Sequence, residues 1–171
     1  MYAVGTYFDP LAMSMVKSQG EKELKTALLD PVYPRVSHFL PVSGVNTHSR
    51  CILPSRNSTI SPQTIRIVMN RNLSIDKYTA AIIEALEPRM KGNDLESLDE
   101  FRKLNPAVDL VQGAEIEMTI RGDTLLYKNA VGGLGQIKSI VFTRAMCDVF
   151  YGEDAVSPTH LKDVLVGVKE L

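Results

Sequence analysis

Histidine, cysteine and a glycine-rich run are the parts of this chain whose residue types could bind a metal ion or a phosphate. His38, His48 and Cys51 lie close together in the sequence, but their spacing matches none of the short ligand pairs of zinc sites. Cys147 lies far from Cys51, and two cysteines are too few for a disulfide framework. We therefore predict no metal site, and either a reducing compartment or a bystander role fits both cysteines.

The glycine-rich run Gly132-Gly133-Leu134-Gly135 could cradle a phosphate if it followed the pattern GxGxxG and opened a helix. The run departs from that pattern and no predicted helix follows it directly, so we predict a turn. The third histidine, His160, could serve as an acid or a base. We expect it on the solvent side of the last helix, without a chemical role.

The spacing of apolar residues predicts the elements that would position any site. Alternation predicts strands, apolar residues three and four apart predict helices, and Pro, Gly and Ser mark the ends. The predicted strands span residues 2–8, 64–70, 114–121 and 124–128, with a short strand after a turn within 131–137. Two helices are predicted at 10–15 and 21–29, and a third begins at Ser74 and is closed by Pro88 and Gly92. A fourth begins at Asn93 or Asp94 and ends before Pro106. A fifth extends from Ser139 to Gly152, and the last begins at Ser157-Pro158. This order predicts an α+β fold in which helices cover one face of an antiparallel sheet.

Charge and composition exclude two classes of protein. The 171 residues include 19 Lys and Arg against 20 Asp and Glu, a formal net charge of −1. That balance lacks the basic surplus of a nucleic-acid-binding protein. Charged residues also interrupt every apolar run before the roughly 18 residues that a membrane span needs. We predict one soluble domain, cytoplasmic as the sequence stands, because its first residues do not form a targeting peptide.

Residues 36–63 differ in composition from the rest of the chain. These 28 positions hold six Ser and three Pro but no Asp, Glu or Lys, and they show no sustained period. A loop of this length in a compact domain is usually functional or disordered. We predict a largely disordered insertion, with a binding loop as the alternative.

Three stretches resemble the chalcone isomerase-like family: YAVGTYFDP (2–10), TIRIVMNRNLSIDKYTAAIIEAL (64–86) and GDTLLYKNAVGGLGQIKSIVFTRAMCDVFYGEDAVSPTHLKDVL (122–165). Their order and spacing fit that family. The resemblance implies a single domain over 1–171, with N-terminal strands of the sheet missing ahead of Met1. It also implies that 36–63 is an insertion, because Arg35 and Thr64 would otherwise be nearly contiguous.

The family contains isomerases that close chalcones to flavanones and non-catalytic relatives that bind fatty acids between sheet and helices. An isomerase must position its reactant and donate hydrogen bonds to the oxyanion that develops on the ketone. Tyr78 matches the helical tyrosine of the isomerases, and Thr143 matches a hydroxyl on their penultimate helix. Ala85 stands where they have an Asn, and Tyr2 stands where they have a Thr. In the fatty-acid-binding relatives a Tyr at that last position and an Arg hold the carboxylate. That Arg would precede Met1.

These matches favour a non-catalytic protein that holds a fatty acid or similar apolar carboxylate with Tyr2, Tyr78 and Thr143, without a cofactor. The first alternative is a chalcone isomerase, an intramolecular lyase acting on a flavonoid-like ligand, with Tyr78 and Thr143 as catalytic residues. The second alternative is a truncated chain without a competent site. The resemblance also implies a plastid or mitochondrial location if an import segment precedes Met1.

Each matched residue has a purely structural interpretation as well. Tyr78, four residues before Ile82, is typical of an amphipathic core position whose hydroxyl finds a partner at the rim. Thr143 could bond the backbone of its own helix four residues back. Tyr2 could simply fill a strand face.

Peptide mapping of the native protein tests the insertion. If 36–63 is untranslated sequence wrongly included in the assigned coding sequence, rather than a species-specific loop, recovered peptides will run from Arg35 directly to Thr64. Peptides from within 36–63 would refute that hypothesis.

Overall fold

The structure is a computed structural model that describes residues 2–8, 20–31 and 62–170. The short helix predicted at 10–15 and most of the segment 36–63 lie outside the described residues. The insertion therefore stays a prediction, although its last residue, Gln63, is the first residue of a strand.

The described strands form one antiparallel sheet in which each strand pairs with the next along the chain. A tight turn joins the third strand to the fourth at Gly122, whose φ of 59° suits glycine. The strands are β1 (Tyr2–Phe8), β2 (Gln63–Met69), β3 (Glu115–Arg121), β4 (Thr124–Lys128) and β5 (Leu134–Lys138). The predicted α+β class with an antiparallel sheet is confirmed.

Five described helices pack on the sheet, and alternation along the strands sets the face they cover. Ile116, Met118 and Ile120 of β3 are buried under them, while the intervening residues of that strand are more exposed. The helices are α1 (Glu21–Leu29), α2 (Ile75–Met90), α3 (Glu96–Leu104), α4 (Ile140–Tyr151) and α5 (Pro158–Glu170). The core lies between this helical layer and the sheet.

Pro88 does not close α2 as the sequence predicts, because the helix continues to Met90. Proline removes the N–H that would bond the carbonyl one turn back, and its ring crowds that carbonyl, but two residues from the helix end this disruption is local. Arg89 supports the last turn, since its Nη1 donates to the carbonyl of Ala85 and its Nε donates to Asp148 of α4. Lys91 follows the last residue of the helix and adopts the left-handed backbone conformation, as does Gly92 after it.

Helix α4 begins as predicted, since the Ser139 hydroxyl accepts a hydrogen bond from the Phe142 N–H at 3.0 Å. It ends at Gly152, but not in the left-handed conformation that a glycine end usually adopts. Gly152 has extended backbone angles, φ −70° and ψ 179°. The need for glycine is steric, because a Cβ there would lie 2.4 Å from the carbonyl oxygen of Asp148.

Replacing Gly152 by Ala should therefore destabilise the fold by about 1 to 3 kcal/mol, the usual cost of overpacking. The matched control is Gly167→Ala within α5, where an added Cβ meets nothing within 4 Å. That change should stabilise by about 0.5 to 1 kcal/mol, through helix propensity. Urea denaturation measures both, and equal effects of the two variants would contradict the steric argument.

Candidate functional site

Helices α2 and α4 lie side by side and carry two of the residues singled out from the sequence. Tyr78 of α2 is 5% exposed and Thr143 of α4 is fully buried. Tyr78, Ile82 and Leu86 follow one another at four-residue spacing on the buried face of α2. This spacing places the Tyr78 ring inside the protein. Helical spacing thus positions both side chains in the layer between helices and sheet.

A chain of polar groups joins Tyr78 to the sheet and to the end of α3. The Tyr127 hydroxyl of β4 donates to Oδ1 of Asn105 at 2.6 Å, and it also interacts with the Tyr78 hydroxyl. Asn105 Nδ2 donates to the carbonyl of Phe101 at 3.1 Å. We call Tyr78, Tyr127 and Asn105 the hydroxyl chain.

Apolar packing surrounds the hydroxyl chain and keeps it neutral. The Phe101 ring meets Tyr127 edge-on at 5.2 Å between centroids, and Phe142 lies 5.9 Å from Phe101. Burial raises the pKa of Tyr127 to about 12, although its contacts with Tyr78 and Asn105 oppose the shift. Tyr127 is therefore a protonated hydroxyl throughout the physiological range.

Thr143 and Ala85 bear on the isomerase alternative. The Thr143 hydroxyl donates to the carbonyl of Ile140 at 3.3 Å, three residues back rather than four, so its proton serves its own helix. Ala85 lies partly buried against the core and has no side-chain donor. The structure thus favours the structural interpretation of Thr143.

Tyr2 pairs with Met69 at the end of β1, as the register of the first two strands requires. Its side chain lies outside the described part of the molecule. Whether it shares a site with Tyr78 stays a prediction.

A groove of about 570 Å³ opens between α2 and α3 and reaches the hydroxyl chain at Asn105. It lies on the outer side of α2, whereas the sequence predicts a cleft between sheet and helices. Three carboxylates line the groove, those of Asp76, Glu84 and Glu87, against the one guanidinium of Arg102. The lining residues are Ile75, Asp76, Thr79, Ala80, Ile83, Glu84, Glu87, Arg102, Asn105 and Ala107.

The glycine-rich run forms a turn, as predicted, and its N–H groups are already bonded. The side-chain oxygen of Asn129 accepts from the N–H groups of Val131 and Gly133, at 3.2 and 2.8 Å. Gly135 follows in β5, where an added Cβ would lie 2.2 Å from Leu104 Cδ2 of α3. The glycines therefore serve the turn and the close approach of α3.

His160 is not on the solvent side of α5, so that expectation is wrong. The residue is 3% exposed, and its Nε2 lies 2.9 Å from the Thr6 hydroxyl of β1, which lies 2.9 Å from the Tyr151 hydroxyl. Its ring stacks on Tyr151 with centroids 5.7 Å apart. The sequence did carry a signal, because His160 shares a helical face with Val164 and buried Val168.

Cys147 is buried, and Gln63 Nε2 donates to its Sγ at 3.2 Å. Burial raises the pKa of the thiol to about 12, so the thiolate that would act as nucleophile is not formed near neutral pH. Cys51 lies outside the described residues.

Within residues 2–8, 20–31 and 62–170, no three His, Cys, Asp or Glu side chains are grouped so as to hold a metal ion. No helix there combines the length and the apolar character that crossing a bilayer requires.

Comparison with known proteins identifies the fold. No protein-family model matches the chain, and no curated protein matches it. Among solved structures, the whole architecture matches that of proteins with the chalcone isomerase-like fold, and this chain has that fold. One matching structure is the fatty-acid binding protein AtFAP1 of Arabidopsis thaliana, at a TM-score of 0.63 and 19% identity, covering 99% of this chain and 78% of that one.

The buried His160 should make stability depend on pH. Burial lowers the pKa of its imidazole, although the Val4 backbone and Asp163 oppose the shift, so the native state holds the ring neutral. In the unfolded chain it titrates near its ordinary value of about 6.5. Below that pH the unfolded state binds more protons, so the free energy of unfolding falls as pH drops.

Thermal denaturation of His160→Gln against the unsubstituted protein between about pH 7.5 and 5.5 measures this contribution. The loss of Tm on acidification should be smaller in the variant, because carboxylates titrate alike in both. Identical pH profiles would show that His160 does not contribute.

Proposed function

We propose that this protein binds a fatty acid or a similar apolar carboxylate and does not catalyse a reaction. The observation that carries the proposal is the hydroxyl chain, a short row of polar groups inside an otherwise apolar layer. Ligand sites for apolar molecules have this composition, in which a few placed polar groups fix one end of the ligand. The fold shared with a fatty-acid binding protein supports the same function.

In this proposal Tyr78 contacts the polar end of the ligand and Tyr2 completes the site, whereas Thr143 gives its proton to Ile140 and does not donate to the ligand. Tyr127 and Asn105 are additions that the structure supplies, since neither was singled out from the sequence. Tyr127 contacts Tyr78 from the side of the sheet, and Asn105 at the end of α3 accepts a hydrogen bond from Tyr127. The groove between α2 and α3 gives access to Asn105 from the surface.

Chalcone isomerisation is the second candidate, because Tyr78 is retained as a buried phenol. The reaction needs preorganised donors aimed at the developing oxyanion. Ala85 supplies no donor, and Thr143 already gives its proton to Ile140. These two positions argue against turnover.

A displacement titration with a fluorescent fatty acid tests the binding function. Tyr78→Phe should weaken binding by about 0.5 to 1.5 kcal/mol, the net contribution of one hydrogen bond. The matched control is Tyr7→Phe, because Tyr7 lies half-exposed beside Arg66 and away from the hydroxyl chain.

Equal affinities of Tyr78→Phe and Tyr7→Phe would remove Tyr78 from the site. A spectrophotometric chalcone cyclisation assay on the same preparations distinguishes the second candidate. Robust turnover that Tyr78→Phe abolishes would replace binding by catalysis as the function.

A further inference from the structure

The groove between α2 and α3 has an apolar floor and a negatively charged rim. Ile75 and Ile83 of α2 line it and are buried, so they lie at its base. Asp76, Glu84 and Glu87 of the same helix line it and are exposed, so they form its rim. The volume of about 570 Å³ is in the range of small-molecule sites. A ligand that fills the groove must therefore combine apolar surface with charge.

The negative charge of the rim is not balanced within the described part of the chain. The ion pairs found there involve other carboxylates than the three of the rim. Among the described residues that line the groove, Arg102 is the one cation, and its guanidinium is already paired with Asp99 of α3. A cation that enters the groove therefore meets three carboxylates that these residues leave unneutralised.

The helix by itself does not favour this arrangement of charges. Glu84 and Glu87 are three residues apart, and like charges at that spacing destabilise a helix. Glu87 also lies near the C-terminal end of α2, where the helix dipole disfavours a negative charge. Arg89 does not relieve it, because its guanidinium bonds Asp148 and the carbonyl of Asp154. Residues that break a local rule in this way are typical of a binding site.

The carboxylates lie at two ends of the groove, with apolar positions between them. Glu84 and Glu87 follow Asp76 by eight and eleven residues. At 1.5 Å per residue these separations are about 12 and 16 Å along the helix axis. Ala80 and Ile83 lie between the two ends and also line the groove. Two negative ends and an apolar middle are complementary to an aliphatic chain that carries a positive charge at each end.

We propose that the groove binds a linear aliphatic diammonium ion, the chemical class that includes the polyamines. One ammonium group lies beside Asp76 and the other beside Glu84 and Glu87. This second site is separate from the fatty-acid site, because Tyr78 is not among the described residues that line the groove. Asn105 does line it, but its side-chain amide is already bonded on both sides. The inference goes beyond the binding function proposed above and does not depend on it.

Isothermal titration with three amines at neutral pH tests the inference. 1,10-Diaminodecane should bind several times more tightly than decylamine, which has the same chain and a single charge. It should also bind more tightly than 1,4-diaminobutane, which has both charges but is too short to span the groove. Raising the ionic strength from about 0.01 to 0.1 M shortens the Debye length from about 30 to 10 Å, and this should weaken the diamine more than decylamine.

Charge-removing variants locate the bound diamine. Asp76→Asn and Glu84→Gln should each weaken 1,10-diaminodecane about twofold to fivefold, the effect of losing one partly exposed ion pair. The matched control is Glu100→Gln, because Glu100 is exposed on α3 but lies outside the groove lining, two residues from Arg102 and so on the opposite side of that helix. That variant should leave the affinity unchanged.

Arg102→Gln distinguishes a binding role from damage to the fold. It removes the positive charge from the groove and frees Asp99, so 1,10-diaminodecane should bind about twofold to fivefold more tightly. A misfolded variant could not bind more tightly.

Three results would overturn the inference: no binding of 1,10-diaminodecane, equal affinities for it and decylamine, or equal losses in Glu84→Gln and Glu100→Gln. None of them bears on the fatty-acid titration, which uses a different ligand and different variants.

Discussion

Burial of α4 on nearly all its sides is the constraint on which the helical layer depends. Of its 12 residues, eight are buried, and the helix contacts α1, α2, α5 and β4. A helix this apolar around its circumference is stable only inside a layer of neighbours. Ser139 starts the helix with a side-chain hydrogen bond, and the close contact of Gly152 with Asp148 ends it. The other helices are therefore arranged around a fixed central element.

Polar groups buried in this layer must find hydrogen-bond partners within the protein. Gln63 donates to Cys147 and to the Leu28 carbonyl, and so ties β2 to α4 and α1. Thr6 and His160 tie β1 to α5, and the hydroxyl chain ties α2 and α3 to β4. Each cluster is thus a cross-link between elements. The hydroxyl chain differs from the others because a groove reaches it.

The opposite face of the sheet has ordinary surface chemistry. Arg66 pairs with Glu115, Lys128 lies 3.4 Å from Glu117, and Thr64 meets Thr119 across neighbouring strands. Ion pairs with this exposure contribute little to stability because solvent screens them. The candidate site therefore lies on the helical side of the sheet. Hydrogen bonds there are stronger because the surroundings exclude water.

The sequence by itself determined the elements, because period and turn residues act locally: the alternation in β3, the cap at Ser139 and the burial of Tyr78 all followed from spacing. It also carried a signal for the buried His160, in its helical phase with Val168. Only the tertiary structure decided which polar groups meet. Asn105 reads as no more than a residue before Pro106, yet it bonds Tyr127, 22 positions away. Such pairings depend on how α3 packs against the sheet, and a local pattern contains no information about packing between distant segments.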